Sequence, residues 1–264
     1  MQIITLTTDF GESSPYVAAM KGAIYCIAPE ALVVDLTHIV PAQDIREGAL
    51  TLYETARWFP PGTIHVVVVD PGVGTDRAIL YAEIGGQRYI APDNGLLSFL
   101  MTEEPLERAF TLEASEYWHS AVSKTFHGRD IMGPAAAHLA NGLNPEKLGP
   151  PPQDLVTLDW HQPNEEENRI SGRVMKFDSF GNIITNIHAK LLGGRPTDPR
   201  ACVACNIYET NGIYGSYAEE PFGTFIAVIG SNGFLELAIV GENAAERLGV
   251  RIGDPVNIVW ESHA

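Results

Sequence analysis

The stretch that decides the fold is "TIHVVVVDPGVGTDR", residues 63–77. Val66 to Val69 form an unbroken valine run. Uninterrupted apolar strands belong in a parallel sheet covered on both faces. The run ends in Asp70, a Pro-Gly turn and then Arg77. In open α/β sheets, ligands bind beyond the carboxyl ends of the strands, so a carboxylate at a strand tip stands where a ligand would. "IITLTTD" delivers Asp9 in the same way. A lone aspartate at such a place can serve only an Asx turn, but two in one layer of a sheet point to a site. Asp35, inside "VVDLTH", reads as structural.

Around this strand the first half alternates strand and helix. "QIITLTTDF" and "ALVVDLTH" read as strands. "SSPYVAAMKGAIYCIAP" reads as a helix, with Ser13 or Ser14 as its cap and Pro15 in its first turn. "DIREGALTLYETARWF" is an amphipathic helix that stops before Pro60 and Pro61. "ILYAEIGGQRYIAPD" reads as a strand pair and "ERAFTLE" as a further strand. "RDIMGPAAAHLANG" is a helix that Pro134 kinks or delays, and Asp130 is a candidate cap for it. Residues 1–152 are therefore expected to form a layered α/β domain with a mostly parallel sheet. Pro150–Pro152 and the acidic run Glu165–Glu167 mark a linker over 153–168. Residues 169–264 are short strands with Gly and Asn turns, expected to form a small all-β, barrel-like domain.

A length of 264 residues fits two domains. The net charge of −16 opposes nucleic acid or anionic membranes as partners, because both require clustered Lys and Arg. No apolar run approaches the roughly 18 residues of a membrane span. "MQIITLTTDF" lacks the basic start of a signal peptide, so a cytoplasmic location is expected. Cys26, Cys202 and Cys205 do not make a disulfide framework. The C-x-x-C of Cys202 and Cys205 lacks the second pair of a zinc site, and on a strand its two members face opposite ways. No metal site is expected. "GVGTDR" puts Arg77 where a dinucleotide fingerprint needs its third glycine, and a strand follows where a helix should, so NAD binding is rejected.

Three further polar clusters stand out. "KTFHGRD" carries His127 beside Arg129 and Asp130, a setting that suits orienting a water or shuttling a proton. "DSFGNIITNI" carries Asp178 and Asn182; asparagine serves turns, and also presents the donor and acceptor that match an adenine edge. "GSNGFLELA" carries Ser231, with Glu236 as a lone charge in an apolar strand.

Taken with "TDFG", "VDPGVGTDR" and "APDNGLL", these motifs run through nearly the whole chain in one order. The sequence thereby resembles the S-adenosyl-L-methionine (SAM) hydroxide adenosyltransferases, adenosine-forming SAM hydrolases related to the fluorinases and chlorinases. The resemblance implies cleavage of SAM by water at ribose C5′, giving adenosine and methionine with no cofactor. It implies a homotrimer whose sites lie between the α/β domain of one subunit and the β-domain of the next. Asp70, Arg77 and His127 match the water-activating trio. Asp9 would bind the ribose hydroxyls and Asn182 the adenine. Asp178 and Ser231 would hold the methionine end. Asn94, Glu236 and the backbone at Asn243 and Ala244 would be further substrate contacts. Tyr16 and Asn232 stand where the fluorinase carries serine and arginine. The alternatives are a SAM-dependent halogenase, disfavoured by a carboxylate at 70, and a non-catalytic adenosine or SAM binder.

Overall fold

The computed structural model describes residues 1–260. The chain divides into two compact units, Met1–Asp159 and a second from Trp160 onward. The division falls inside the 153–168 stretch.

The first unit contains, in order, β1 (Ile3–Thr8), α1 (Tyr16–Ile27), β2 (Leu32–Thr37), α2 (Ile45–Ala56), β3 (Ile64–Val68), β4 (Ile79–Ile84), β5 (Gln87–Pro92), α3 (Leu100–Glu103), β6 (Leu106–Thr111) and α4 (Gly133–Ala140). The six strands form one sheet in the order β2-β1-β3-β5-β4-β6. The pairs β1–β2, β1–β3 and β3–β5 are parallel, while β4 runs antiparallel to both its neighbours. Every residue of β3 is buried, as its valine run requires. Val66 and Val68 pack in one cluster with Met20 and Ile24 of α1 and Ala135 and Leu139 of α4. Val69 faces the other way, against Gly48 of α2. Helices therefore cover both faces, with α2 capped by the Asp44 side chain.

Two helix starts differ from expectation. α1 begins at Tyr16, with Pro15 in the cap position rather than the first turn. Proline has no N–H to leave orphaned there. Ser14 Oγ instead accepts from the Tyr16 amide at 3.2 Å. α4 does start late, with Pro134 in its first turn, but a π-helical turn over Gly128–Met132 precedes it. Asp130 lies within that turn, fully buried, and is not a cap. It accepts from the Ser123 amide at 2.8 Å and pairs with Arg129 at 2.6 Å.

The second unit contains β7 (Asn164–Glu166), β8 (Arg169–Phe177), β9 (Ile183–His188), β10 (Ala201–Cys205), β11 (Tyr208–Asn211), β12 (Phe225–Ile229), β13 (Phe234–Ile239), α5 (Ala244–Leu248) and β14 (Pro255–Trp260). The antiparallel order is β11-β10-β14-β8-β9-β13-β12, with β7 paired to β8. A bridge between Tyr214 and Val228 brings the two ends together, so the sheet is a nearly closed barrel. Its interior is filled by residues such as Ile170, Val203, Leu235, Leu237 and Ile258. Cys202 and Cys205 lie on β10 with alternating burial, Cys205 inside.

One buried group makes the first unit sensitive to acid. His65 on β3 is fully buried, its Nδ1 2.7 Å from Thr5 Oγ1 and its ring stacked on Tyr89 at 5.1 Å. Burial lowers its pKa to about 4, outweighing the opposing influence of the nearby Gln87 side chain. The unfolded chain therefore binds a proton that the native state refuses. Stability is complete above about pH 6.5 and falls as pH drops towards 4, by on the order of 3 kcal/mol. Urea unfolding at pH 7 and pH 4.5 tests this. His65→Gln should flatten the difference, and parallel losses in both proteins would place the effect elsewhere.

Candidate active site

Asp9 directly follows β1 and Asp70 stands two residues beyond β3. The register pairs Thr8 with Val68, so both carboxylates emerge from adjacent strands at the same edge. Asp9 Oδ2 accepts from the Gln43 amide at 2.8 Å, which fixes one oxygen and leaves the other for a ligand. Gln43 adopts φ 64, an uncommon conformation for a non-glycine residue.

Asp70, Arg77 and His127 touch. Arg77 Nε donates to both Asp70 oxygens, at 3.0 and 2.9 Å, and Nη2 donates to Oδ2. Nη2 also lies 3.0 Å from His127 Nδ1. The pair is largely enclosed, with 11% of the arginine and 4% of the aspartate side chain exposed. Arginine can only donate, so His127 Nδ1 is the lone-pair end and Nε2 carries the proton. Burial, and then the Arg77 charge, lower the His127 pKa, while Asp70 and Asp130 push the other way. Neutral imidazole is the form this arrangement holds.

Fifty residues separate Arg77 from His127, and loop packing joins them. Gly74 sits at φ +80, and a Cβ there would lie 2.4 Å from the Lys124 carbonyl oxygen. Asn94 Nδ2 donates to the Val69 carbonyl at 2.9 Å, and its Oδ1 accepts from the Leu96 amide at 3.3 Å. Asn94 thus braces the backbone beside Asp70.

The other predicted residues lie on the second unit. Asp178, Asn182, Ser231 and Glu236 line a single cleft of about 330 Å³. Asp178 Oδ1 accepts from the amides of Phe180 and Asn182, and Oδ2 accepts from Asn182 Nδ2 at 2.8 Å. Part of its role is therefore its own turn. By inventory, Asn182 retains a second N–H and its carbonyl oxygen, a donor and acceptor side by side. Glu236 is on β13, at a register irregularity, and accepts from Tyr217 OH at 2.6 Å. Burial and Glu236 raise the Tyr217 pKa, which keeps the phenol a donor. A Cβ on Gly230 would lie 1.6 Å from Glu236 Oε1, so the carboxylate crosses that backbone. An adjoining cleft of about 490 Å³ shares Phe180, Asn182 and Tyr217 and adds Asn243, the cap of α5. Ala244, next in sequence, is buried in the barrel core.

Sequence reasoning passes over Phe180, Tyr217 and Gln43. Phe180 had a signal, because it is an aromatic at a turn tip with no strand to bury it, and it is 77% exposed. Tyr217 lies nineteen residues from the carboxylate it serves, and Gln43 acts through its backbone. Neither leaves a local pattern.

Family profiles match both units. That of the SAM hydroxide adenosyltransferase N-terminal domain covers residues 4–149, and that of the C-terminal domain covers 172–257. The chain belongs to the SAM hydroxide adenosyltransferase family. It is similar to an (R)-S-adenosyl-L-methionine hydrolase from Thermus thermophilus, at 38% identity over 98% of this chain and 100% of that one. It is similar to a hydrolase of the same name from Methanocaldococcus jannaschii, at 34% identity over 98% and 97%. A fluorinase from Nocardia brasiliensis is 27% identical over 97% of this chain and 96% of its own. The solved structure of an uncharacterized conserved protein from Thermotoga maritima superposes with TM-score 0.91 at 34% identity, covering 97% of this chain and 99% of that one.

In this member of the adenosyltransferase family, Gly74 lets the loop before Arg77 pack against Lys124, three residues ahead of His127. Gly74→Ala should leave the protein folded yet lower turnover by about 10²-fold, because Arg77 and His127 move out of register. Steady-state kinetics with thermal unfolding as control measure this, and unchanged turnover would show that the loop contact is dispensable.

Proposed function

We infer that this chain hydrolyses SAM to adenosine and L-methionine, with water attacking ribose C5′. The observation that carries the reading is the hydrogen-bonded Asp70–Arg77–His127 trio. A sulfonium is already a good leaving group, so the enzyme's task is to present a nucleophile in line with the C5′–S bond. His127 offers N–H at Nε2, and its Nδ1 faces Arg77, so it steers the water rather than taking its proton. Asp70 takes the proton, and Arg77 stabilises the hydroxide-like charge that develops. Holding a near-attack water accounts for much of the acceleration, up to roughly 7–11 kcal/mol in well-oriented reactions. The chemistry needs no cofactor, because SAM brings its own leaving group.

The trio also disfavours a halide. Arginine N–H groups that a halide would want are engaged with Asp70 and His127, and the Asp70 carboxylate offsets the arginine charge that would attract an anion. The hydrolase-named relatives at 34–38% identity and the fluorinase at 27% support the same choice.

For the substrate, Asp9 grips the ribose diol and Asn182 reads the adenine edge. Asp178 and Ser231 take the methionine end, with Glu236 and Asn94 as further contacts and the Ala244 backbone near the base. Each unit carries half of the groups SAM requires. We place the complete site between the α/β unit of one subunit and the β-unit of the next, in a homotrimer. A cytoplasmic location fits cysteines that form no disulfide among the described residues. The relatives' names specify the (R) sulfonium epimer, and that epimer is our assigned substrate.

Two measurements test the reading. Each epimer is incubated with the protein in oxygen-18 water. Mass spectrometry should find one heavy oxygen at the adenosine 5′ position, with the (R) epimer consumed faster; intact SAM would remove the enzyme reading. Asp70→Asn should then lose at least about 10²-fold in turnover while binding adenosine as before. A fully active variant would move the base elsewhere.

A further inference from the structure

The segment between β2 and α2 reaches back to the Asp9 turn at several points. His38 Nδ1 lies 2.9 Å from Thr8 Oγ1, and the same hydroxyl accepts from the Phe10 amide at 3.3 Å. The His38 carbonyl accepts from the Gly11 amide at 2.7 Å, where Gly11 turns at φ 78. Gln43 holds Asp9 itself. Residues 8 to 11 are thus pinned on both sides of the carboxylate, and His38 supplies two of the pins.

The ring's orientation is set from behind. His38 Nε2 lies 3.0 Å from Asp35 Oδ1, a close contact whose N–H points off the oxygen. Asp35 Oδ2 is held by Lys21 Nζ at 2.5 Å. Burial raises the Asp35 pKa, but the Lys21 hydrogen bond and the nearby His38 ring outweigh it, and the group stays ionised. A carboxylate beside Nε2 favours the proton there, which leaves Nδ1 to accept from the Thr8 hydroxyl. Lys21, Asp35, His38 and Thr8 form one chain of contacts from α1 through β2 to the end of β1. The side chain of Asp35, read from sequence as structural, is the second link in it.

We propose that His38 is a positioning residue for Asp9, holding the Thr8–Gly11 turn so that the carboxylate meets both ribose hydroxyls at once. The proposal rests on the reading that Asp9 binds the ribose diol. Uniform binding energy of this kind is expressed in KM rather than kcat.

The test compares adenosine with 2′,3′-dideoxyadenosine by calorimetric titration, using the full chain. The proteins are wild type, His38→Ala, His38→Asn and Asp9→Asn, with thermal unfolding as control. Wild type should prefer adenosine by about tenfold or more, the effect of one well-made charge-assisted hydrogen bond. In His38→Ala the preference should shrink to below about threefold while dideoxyadenosine binds as before. KM for SAM should rise with kcat nearly unchanged. His38→Asn, whose amide oxygen can accept from Thr8, should restore the preference, and Asp9→Asn should match His38→Ala. Equal weakening of both nucleosides, or an intact preference in His38→Ala, overturns the proposal. A wild type that discriminates between the nucleosides but leaves SAM intact sinks the hydrolase reading and leaves the His38 role standing. A wild type with no preference overturns the Asp9 assignment and the His38 proposal together.

Discussion

A carboxylate that leaves a buried strand with 4% of its side chain exposed must meet a cation. Without one it stays as an uncompensated charge, which costs more than most single defects. The pairing of Asp70 with Arg77 answers that need, and much of the first unit follows from it. A right-handed crossover after β3 would have started the next strand at the far edge of the sheet. Here the chain instead turns at once and returns as β4, antiparallel to its neighbours. Arg77, just ahead of β4, therefore stays at the edge where Asp70 emerges. β6 runs antiparallel to β4 and so delivers the chain to that same edge, where the segment with His127 begins. The switch from parallel to antiparallel strands and the assembly of the trio are one geometric fact.

The two units handle charge in different ways. In the first, opposite charges neutralise each other and present a neutral imidazole beside them. In the second, Glu236 accepts from a phenol and Asp178 from backbone and side-chain amides. Two carboxylates line one cleft there, and SAM carries both a sulfonium and an ammonium. The overall charge of −16 has the same sign.

Much of this was legible in the residues. The valine run gave away β3, and the two strand-end aspartates were expected at one edge of the sheet. Both hold because burial and strand direction are local consequences of composition. Polar residues singled out in "DSFGNIITNI" and "GSNGFLELA" meet in one cleft. What the sequence hid has a common cause. Tyr217 against Glu236, Gln43 against Asp9 and His38 against Thr8 are contacts between segments nineteen to thirty-four residues apart, and no local spacing records them. Pro15 and the π-turn at Gly128–Met132 were misplaced because helix ends depend on which hydrogen bonds the tertiary fold leaves available.

The passage of Glu236 over Gly230 ties two positions into one unit of inheritance. A methyl group at 230 would occupy the space of the carboxylate oxygen, so a larger residue there requires the Glu236 side chain to swing away or be shortened. Residue 236 is under no converse restraint, because a smaller side chain leaves the glycine comfortable. Change at this corner of the barrel is therefore easier in one direction, with the acid moved or lost before the glycine.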